Sequence, residues 1–342
     1  MEKELWKYLQ TAEKPIVLYG MGNGADKIID VLNIYGIKFS GVFASDGFVR
    51  EKYFHSHKIS SYAELKDKYK DMIVLLCFGS SRPEVIENVL KIASEQELYA
   101  PEVPVIGSGL FTEKYLKQNS DDFRFVYSKL QDEISKKTFE NIINYKISGK
   151  IDYLLDCQVS ENEPYTSFLK LNNESFIDLG AYNGDTVINF IKRCPDYKEI
   201  TAVEPDFKTF KKLKKNTQNV ENITLLNACV SKSCGKVSFA MKGGRNSVVS
   251  EKGTEIDCIS VDSLNKIASF IKMDVEGEEI NAIKGASNTI IKHKPKMLIS
   301  AYHRTDDLIT IPKTVLNLNP EYKMYIRHFS YLPAWDTNFY FI

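Results

Sequence analysis

The chain has 342 residues, of which 43% are hydrophobic and 26% charged, enough for about two domains with packed cores. Its 45 basic side chains balance 45 acidic ones, and this zero net charge argues against a broad nucleic-acid or anionic-membrane surface. The opening MEKELWKYLQ has no apolar signal core, and no uncharged run reaches the roughly 18 residues of a membrane helix. The six cysteines form no Cys-x-x-Cys pair, so we expect a cytoplasmic protein with reduced thiols.

The first half of the chain alternates short apolar runs with amphipathic segments. The predicted strands are 15–20, 39–45, 72–78 and 101–107, and the predicted helices are 25–34, 62–70 and 83–95. Because strands that alternate with helices form parallel sheets, we predict a Rossmann-like α/β domain over residues 1–110.

The first predicted strand runs into a glycine-rich turn. The stretch Gly20-Met21-Gly22-Asn23-Gly24-Ala25 has the spacing G-x-G-x-x-A, and Asp46 follows at the tip of the second strand. A helix that begins at such a turn can present free N–H groups to a phosphate. Gly22, Asn23 and Asp46 are therefore candidates to hold a nucleotide, with a purely structural turn as the alternative.

The middle of the chain has a different pattern. Residues 111–164 are charged, rich in aromatic side chains and helical in period, and they contain no obvious strand. We predict a helical connector. It either covers part of an active site or only spaces the two domains.

The second half returns to the alternating pattern. The predicted strands are 175–179, 200–204, 223–228, 236–240, 255–260, 269–274, 297–301, 322–329 and 337–342. The last two strands have no helix between them, so they must pair antiparallel or leave the sheet. Residues 165–342 are therefore predicted to form an α/β domain whose largely parallel sheet ends in an antiparallel strand pair.

The first strand of this second domain ends in DLGAYNGD, residues 178–185. A dinucleotide fingerprint would need small residues at the positions of Tyr182 and Asp185, so an NAD site does not fit. A turn that binds S-adenosylmethionine needs an acid for the ammonium group and glycines where the backbone approaches the methionine part. A plain capped turn is the alternative. The residues that we assign to the cofactor from this turn are Asp178, Gly180, Ala181, Tyr182, Asn183 and Gly184.

The next two strands supply further cofactor candidates. Glu204 ends the second strand, twenty residues after Gly184, where an acid can accept both ribose hydroxyls of an adenosine. Pro205 follows it and fixes the strand tip. Asn227 and Ala228 end the third strand, where small or polar side chains can contact the adenine.

The fourth and fifth strands supply the candidate catalytic groups. Asp274 ends the fourth strand in FIKMDVEGEE, at the edge that faces the ligand crevice in open α/β sheets. Lys272, two residues earlier on the same face, can pair with Asp274 or stabilise substrate charge. His303 ends the fifth strand and is a general-base candidate, because histidine titrates near neutral pH.

Two neighbours of these groups are candidates to contact the substrate. Glu276 follows Asp274, and Arg304 follows His303. Arg245 and Asn246 lie in a glycine-containing loop, KGGRNS, that is either a flap near the substrate or an ordinary surface loop. No clustered set of metal ligands stands out, so no metal site is predicted.

Together these segments resemble the FkbM family of methyltransferases. The resemblance rests on FIDLGAYNGDTVINF, AVEPD, FIKMDVEGEEINAIKGA, ISAYHR and the closing YIRHFSY…TNFYFI, in this order over roughly residues 165–342. It implies a seven-stranded-type methyltransferase sheet, S-adenosyl-L-methionine as cofactor, and methylation of a hydroxyl, often on a sugar. It also implies cofactor roles for Asp178, Gly180, Gly184, Glu204 and Asp274.

Residues 16–60 resemble the nucleotide-sugar-binding domain at the front of bacterial sugar acetyltransferases. This implies a sugar, or a nucleotide-linked sugar, as the small-molecule substrate. Two other functions remain open: an NAD(P)-dependent oxidoreductase that uses the first domain, and a non-catalytic scaffold that binds nucleotides in both halves. The sequence also leaves open a homo-oligomer.

Overall fold

The structure is a computed structural model, and it describes residues 2–45, 53–240, 248–249 and 254–342. Three predicted substrate contacts, Asp46, Arg245 and Asn246, lie outside the described residues. No helix within the described ranges combines the length with the hydropathy that a membrane span requires.

The first 110 residues contain one sheet and four helices in the described ranges. Their elements are α1 (Leu5–Gln10), β1 (Ile16–Tyr19), α2 (Asn23–Ile34), β2 (Gly41–Phe43), β3 (Tyr53–Phe54), β4 (His57–Ser60), α3 (Tyr62–Tyr69), β5 (Ile73–Leu76), α4 (Pro83–Glu95) and β6 (Glu97–Tyr99). The strand order is β3-β4-β2-β1-β5-β6, and every pairing is parallel except that of β3 with β4. All residues of β1 and β5 are buried, as expected for parallel strands with both faces covered.

One predicted strand of this region is wrong. Residues 101–107 are irregular, and the last strand is β6, directly after α4. Pro101 and Pro104 have no N–H group to donate to a neighbouring strand, so the apolar run that contains them cannot form a ladder. The short hairpin of β3 and β4 was not predicted.

The middle of the chain is helical, as predicted. Its helices are α5 (Glu113–Gln118), α6 (Ser120–Lys129), α7 (Glu133–Ser148), α8 (Asp152–Cys157) and α9 (Glu163–Ser167). Helix α7 begins where the Asp132 side chain accepts a hydrogen bond from the backbone N–H of Ser135, at 2.7 Å, and it ends at Gly149, whose φ is +68°.

The last part of the chain holds the second main sheet. Its elements are β7 (Ser175–Leu179), α10 (Asp185–Arg193), β8 (Glu199–Val203), α11 (Phe207–Asn216), β9 (Ile223–Leu226), β10 (Cys229–Val230), β11 (Gly235–Ala240), β12 (Val248–Val249), β13 (Thr254–Ile259), β14 (Phe270–Met273), α12 (Glu279–Gly285), α13 (Ser287–His293), β15 (Lys296–Ser300), α14 (Asp307–Leu318), β16 (Met324–His328) and β17 (Thr337–Phe341).

The seven-stranded sheet has the order β16-β17-β15-β14-β7-β8-β9. Strands β7, β8, β9, β14 and β15 are parallel, and β17 pairs antiparallel with both β15 and β16. The predicted antiparallel pair at the end of the sheet is therefore confirmed. Strands β10 to β13 form a separate four-stranded sheet, which the sequence pattern did not distinguish from the main one.

The connector is packed into the protein core. One continuous cluster of buried apolar side chains contains Val17 of β1, Phe139 of α7 and Phe339 of β17. Arg327 of β16 is fully buried and pairs with two connector carboxylates, those of Asp132 at 2.7 Å and Glu163 at 2.5 Å. Because removal of one partner of a buried ion pair is strongly destabilising, these contacts fix the connector against the sheet. The domain limits at residues 110 and 164 stay a prediction.

Candidate functional site

A cavity of about 470 Å³ opens beside the carboxyl ends of β7, β8, β14 and β15, within the size range of small-molecule sites. Strand tips, the first domain and the connector all contribute to its wall. Among the lining residues are Gly180, Tyr182, Glu204, Asp274 and Tyr302 from the sheet, Ser81, Val105 and Ile106 from the first domain, and Glu161 and Tyr165 from the connector. The connector therefore covers part of the cavity.

The glycine turn after β7 is forced by a close backbone approach. Gly180 has a φ of +79°, and a Cβ atom there would lie 1.9 Å from the carbonyl oxygen of Asp274 on the neighbouring strand. Only glycine avoids both the strain and the clash. Tyr182, two residues later, has a φ of +47°, in the left-handed region that non-glycine residues adopt uncommonly.

Gly180→Ala should therefore destabilise the protein by more than about 2 kcal/mol, because a left-handed backbone and a backbone clash both oppose the new methyl group. Urea unfolding of the variant measures this. Gly235→Ala is the matched control, since a Cβ at Gly235 would meet open space and should change stability by less than about 0.5 kcal/mol. Equal stability of the two variants would contradict this account of the turn.

Glu204 follows β8, and its carboxylate is held by the turn beside it. Its two oxygens accept hydrogen bonds from the backbone N–H groups of Tyr182, at 3.0 Å, and Asp206, at 2.8 Å. Burial raises the pKa of Glu204 to about 7, although these N–H groups oppose the shift. A carboxylate offers about four acceptor sites, so two remain for hydroxyl groups of a ligand in the cavity.

Asp178 does not reach the cavity surface. Its side chain in β7 is fully buried, and its Oδ1 lies 3.2 Å from Nζ of Lys272. Lys272 also donates to the carbonyl oxygen of Gly180 at 2.8 Å and lies 3.9 Å from Asp274. Lys272 lines the cavity, so the predicted contact of Asp178 with a cofactor ammonium group would have to be indirect. The predicted pairing of Lys272 with Asp274 is present.

The end of the third strand differs from the prediction in detail. The Asn227 amide donates to the backbone carbonyls of Glu204, at 2.9 Å, and Pro205, at 3.0 Å, and Ala228 is buried. The next two residues, Cys229 and Val230, line the cavity instead. Asn227 therefore fixes the tip of β8, because its short amide side chain is used on the neighbouring backbone.

The other residues that were assigned to the cofactor fall into two groups, those that line the cavity and those that only shape the turn. Pro205 lines the cavity. Ala181 is fully buried, the carbonyl oxygen of Asn183 accepts a bond from the side chain of Asn216, and Gly184 faces α11. These three residues shape the turn but do not line the cavity.

Asp274 is the central carboxylate of the cavity wall. Its side chain is 31% exposed and accepts a hydrogen bond from the Tyr302 hydroxyl at 3.0 Å. Burial opposes its ionisation, but the charges of Lys272 and His303 outweigh burial and lower the pKa of Asp274 below its ordinary value. Glu276 and Arg304 line the same cavity, and the Arg304 guanidinium donates to the carbonyl oxygen of Gly277 at 2.7 Å.

His303 lies behind this wall and is fully buried. Burial opposes its charged form, but Glu279, Asp274 and Glu276 outweigh that effect and raise the pKa of His303 to about 10. Nδ1 lies 3.0 Å from Glu279, and Nε2 lies 3.6 Å from Asp274 and 3.5 Å from Glu276. An imidazole that stays protonated at neutral pH and has no surface in the cavity does not fit the predicted role of general base.

The aromatic part of the cavity was not predicted from the sequence. Tyr331 and Trp335, in the loop between β16 and β17, line the cavity and pack against Gly79 of the first domain. The backbone of Leu332 in this loop pairs with that of Ser80. The run YLPAW between two strands was the available signal, since aromatic side chains in a loop at a strand edge often bind ligands.

The glycine turn of the first domain has free space at one of its first two glycines and none at the other. A Cβ at Gly20 would lie 2.6 Å from the Phe78 ring, whereas Gly22 has open space around it. Helix α2 begins at Asn23, earlier than predicted, with Gly22 at its N-cap position. Neither Gly22 nor Asn23 lines the cavity beside the second sheet.

Comparison with known proteins agrees with this architecture. Residues 178–333 match the family model of the methyltransferase FkbM domain. The crystal structure of methyltransferase FkbM from Methylobacillus flagellatus KT is similar over 96% of this chain and 90% of that chain, with a TM-score of 0.74 and 20% identity. Precorrin-6y C5,15-methyltransferase from Geobacter metallireducens GS-15 matches over 50% of this chain and 79% of its own, with a TM-score of 0.33 and 14% identity. No curated protein matches the chain.

Proposed function

We propose that the protein transfers a methyl group from S-adenosyl-L-methionine to a hydroxyl of a sugar or sugar-linked small molecule. The match of residues 178–333 to the family model of the methyltransferase FkbM domain supports the methyl transfer. The observation that carries the proposal is Glu204 at the cavity wall, held by the N–H group of Tyr182 in the glycine turn of the adjacent strand.

The cofactor half of the cavity suits an adenosyl group with an amino-acid tail. Glu204 would accept the two ribose hydroxyls, while Pro205, Cys229 and Val230 provide a largely apolar wall for the adenine. The methionine part would lie along the backbone of Gly180 and Tyr182, where no side chain at Gly180 blocks the approach. A mostly apolar pocket with a few fixed polar groups is typical of cofactor sites.

The transfer needs an oriented oxygen more than a strong base. The acceptor oxygen bonds to the methyl carbon as the carbon–sulfur bond breaks, and the electron pair of that bond stays on sulfur, which loses its positive charge. Asp274, ionised at the cavity wall, would accept a hydrogen bond from the acceptor hydroxyl and orient it, and the proton of that hydroxyl passes to water as the new bond forms. Holding the two reactants in line can supply much of the rate acceleration.

The acceptor half of the cavity supports a sugar. Tyr331 and Trp335 offer aromatic surface, and Glu276 and Arg304 add polar groups close by. Flat apolar rings next to charged side chains suit a molecule that has both C–H faces and hydroxyl groups. Ser81 of the first domain lines the same cavity, so a nucleotide carried by the first domain could bring its sugar to this wall.

A thermal-shift panel tests the proposal. The unfolding temperature of the full chain should rise with S-adenosylhomocysteine, because a ligand that binds only the folded state stabilises it. UDP-sugars should raise it further if the acceptor is nucleotide-linked. Stabilisation by NAD alone would favour an oxidoreductase, and stabilisation by nucleotides without methyl transfer from labelled cofactor to any sugar would favour a non-catalytic scaffold.

Cofactor affinity should depend on pH through Glu204. The ribose hydroxyls donate to its ionised form, and its pKa in the free protein is about 7. Affinity for S-adenosylhomocysteine should therefore be constant at high pH and fall about tenfold per pH unit below pH 7. Calorimetry between pH 5.5 and 8.5 measures this, and in Glu204→Gln the slope should disappear. The same slope in both proteins would assign it to another group.

A further inference from the structure

A compact group of acidic and imidazole side chains lies at the cavity wall. Several of its nitrogen and oxygen atoms could bind a metal ion and have no role in the proposed methyl transfer. We call it the His303 cluster: Asp274, Glu276, Glu279 and His303. Donor atoms of Asp274, Glu279 and His303 all lie within 4.8 Å of one another. Oε2 of Glu276 lies 3.5 Å from His303 Nε2. Donor atoms at such spacings can surround a single ion.

Two atoms of the cluster are buried without a hydrogen bond, namely Nε2 of His303 and Oε2 of Glu279. The other ring nitrogen, Nδ1, lies 3.0 Å from Oε1 of Glu279. Both residues are almost completely buried, at 0% and 1% exposure. A buried polar atom that lacks a partner costs about 1–3 kcal/mol, so the fold keeps Nε2 of His303 unsatisfied in a place where a ligand could satisfy it.

We propose that the His303 cluster binds a divalent metal cation, with Nε2 of His303, Oδ1 of Asp274 and Oε2 of Glu276 as its protein ligands. The two carboxylate oxygens lie 3.6 and 3.5 Å from the same nitrogen. Both carboxylates line the cavity, so the free coordination positions of the cation face the proposed acceptor.

Glu279 has a different role in this site. Its Oε1 accepts hydrogen bonds from the backbone N–H groups of Val275, at 3.0 Å, and Gly277, at 3.3 Å, and lies 3.0 Å from His303 Nδ1. A carboxylate beside the second ring nitrogen is the usual device that fixes the tautomer and orientation of a metal-binding histidine. Glu279 is therefore the positioning residue of the site.

The chemistry of the donor atoms indicates the class of cation. One imidazole nitrogen and two carboxylate oxygens suit a divalent first-row ion such as Mn²⁺ or Zn²⁺, whereas Mg²⁺ and Ca²⁺ prefer oxygen alone. The cation must displace the proton from Nε2 of His303, because a nitrogen that coordinates a metal has to be deprotonated.

The role of the cation rests on the proposed function. A hydroxyl bound to the cation has a lowered pKa and releases its proton to water. The resulting oxygen anion bonds to the methyl carbon, and the carbon–sulfur electron pair stays on sulfur. The cation thus replaces a general base, which agrees with the buried position of His303.

Calorimetric titration of the EDTA-dialysed full chain with MnCl₂, and separately with ZnCl₂, tests the site without cofactor or acceptor. We expect saturable binding of one cation. Glu276→Gln and His303→Gln should weaken it at least tenfold, and Glu279→Gln by about 10- to 100-fold. Glu278→Gln is the matched control, because this neighbouring carboxylate pairs with Arg304 at 3.6 Å, and it should change affinity less than twofold.

The outcomes separate this site from the cofactor site. No saturable binding of either ion to the wild-type chain would overturn the proposal, and so would wild-type affinity in Glu276→Gln, a partly exposed position where misfolding is checked by circular dichroism. S-adenosylhomocysteine is titrated in a parallel experiment. If the wild-type chain binds the cation but does not bind S-adenosylhomocysteine, the proposed function is contradicted and the cation site is supported.

Discussion

Asp274→Asn is expected to lower methyl transfer by about 10²- to 10⁴-fold, the range associated with a group that acts directly on the reacting oxygen. Asn keeps the shape and can still accept the Tyr302 hydroxyl hydrogen bond seen at 3.0 Å. It loses the negative charge that faces the acceptor. Turnover is measured with labelled cofactor and the sugar that the thermal-shift panel identifies.

The affinity of this variant for S-adenosylhomocysteine distinguishes a loss of catalysis from a disruption of the folded cavity. We expect it to stay within a few fold of the wild-type value, because the proposed function assigns Asp274 to the acceptor and not to the cofactor. Asp257→Asn, an exposed position in β13, serves as the matched control and should keep full turnover. Normal turnover in Asp274→Asn would remove this carboxylate from the reaction.

Glu204→Gln is expected to weaken S-adenosylhomocysteine binding by about 10- to 100-fold. A hydrogen bond to a charged acceptor contributes about 1.5–3 kcal/mol, and the amide cannot accept from two hydroxyls and two backbone N–H groups at once. Calorimetry measures the loss. The unfolding temperature is recorded in parallel, since the bonds from Tyr182 and Asp206 also hold the turn.

The control for Glu204 comes from the same strand. Glu199 begins β8 at its opposite end and pairs with Lys266 at 2.7 Å. Glu199→Gln should leave the affinity unchanged. If both variants bind S-adenosylhomocysteine as tightly as the wild type, the ribose lies elsewhere and the cofactor assignment fails.

Lys272 connects the two halves of the site. It pairs with buried Asp178 of β7 at 3.2 Å and lies 3.9 Å from Asp274 at the end of β14, so one ammonium group links the ends of two adjacent strands. Burial opposes its charge, but Asp178 and Asp274 outweigh burial and raise the pKa of Lys272. The group therefore stays charged and holds the glycine turn through its bond to the Gly180 carbonyl oxygen.

The sequence by itself determined the α/β class and the strand tips at which Glu204 and Asp274 lie. Apolar runs that alternate with amphipathic helices predict parallel strands, and the carboxyl ends of parallel strands lie at one edge of the sheet, so Glu204 and Asp274 were expected at that edge. Gly180 was also predicted, from its place in the turn DLGAYNGD directly after an apolar strand. The structure adds the physical reason, since a side chain at this position would meet the carbonyl oxygen of Asp274.

Only the tertiary structure decided which side chains face the cavity. Asp178 and His303 stand at or next to strand ends in the sequence, yet both are fully buried, while Tyr331 and Trp335 come from a loop that pairs with the first domain. Local sequence patterns specify that a residue ends a strand. They do not specify which neighbouring charges surround it, and those charges fix whether a histidine is a base, a buried cation or a metal ligand.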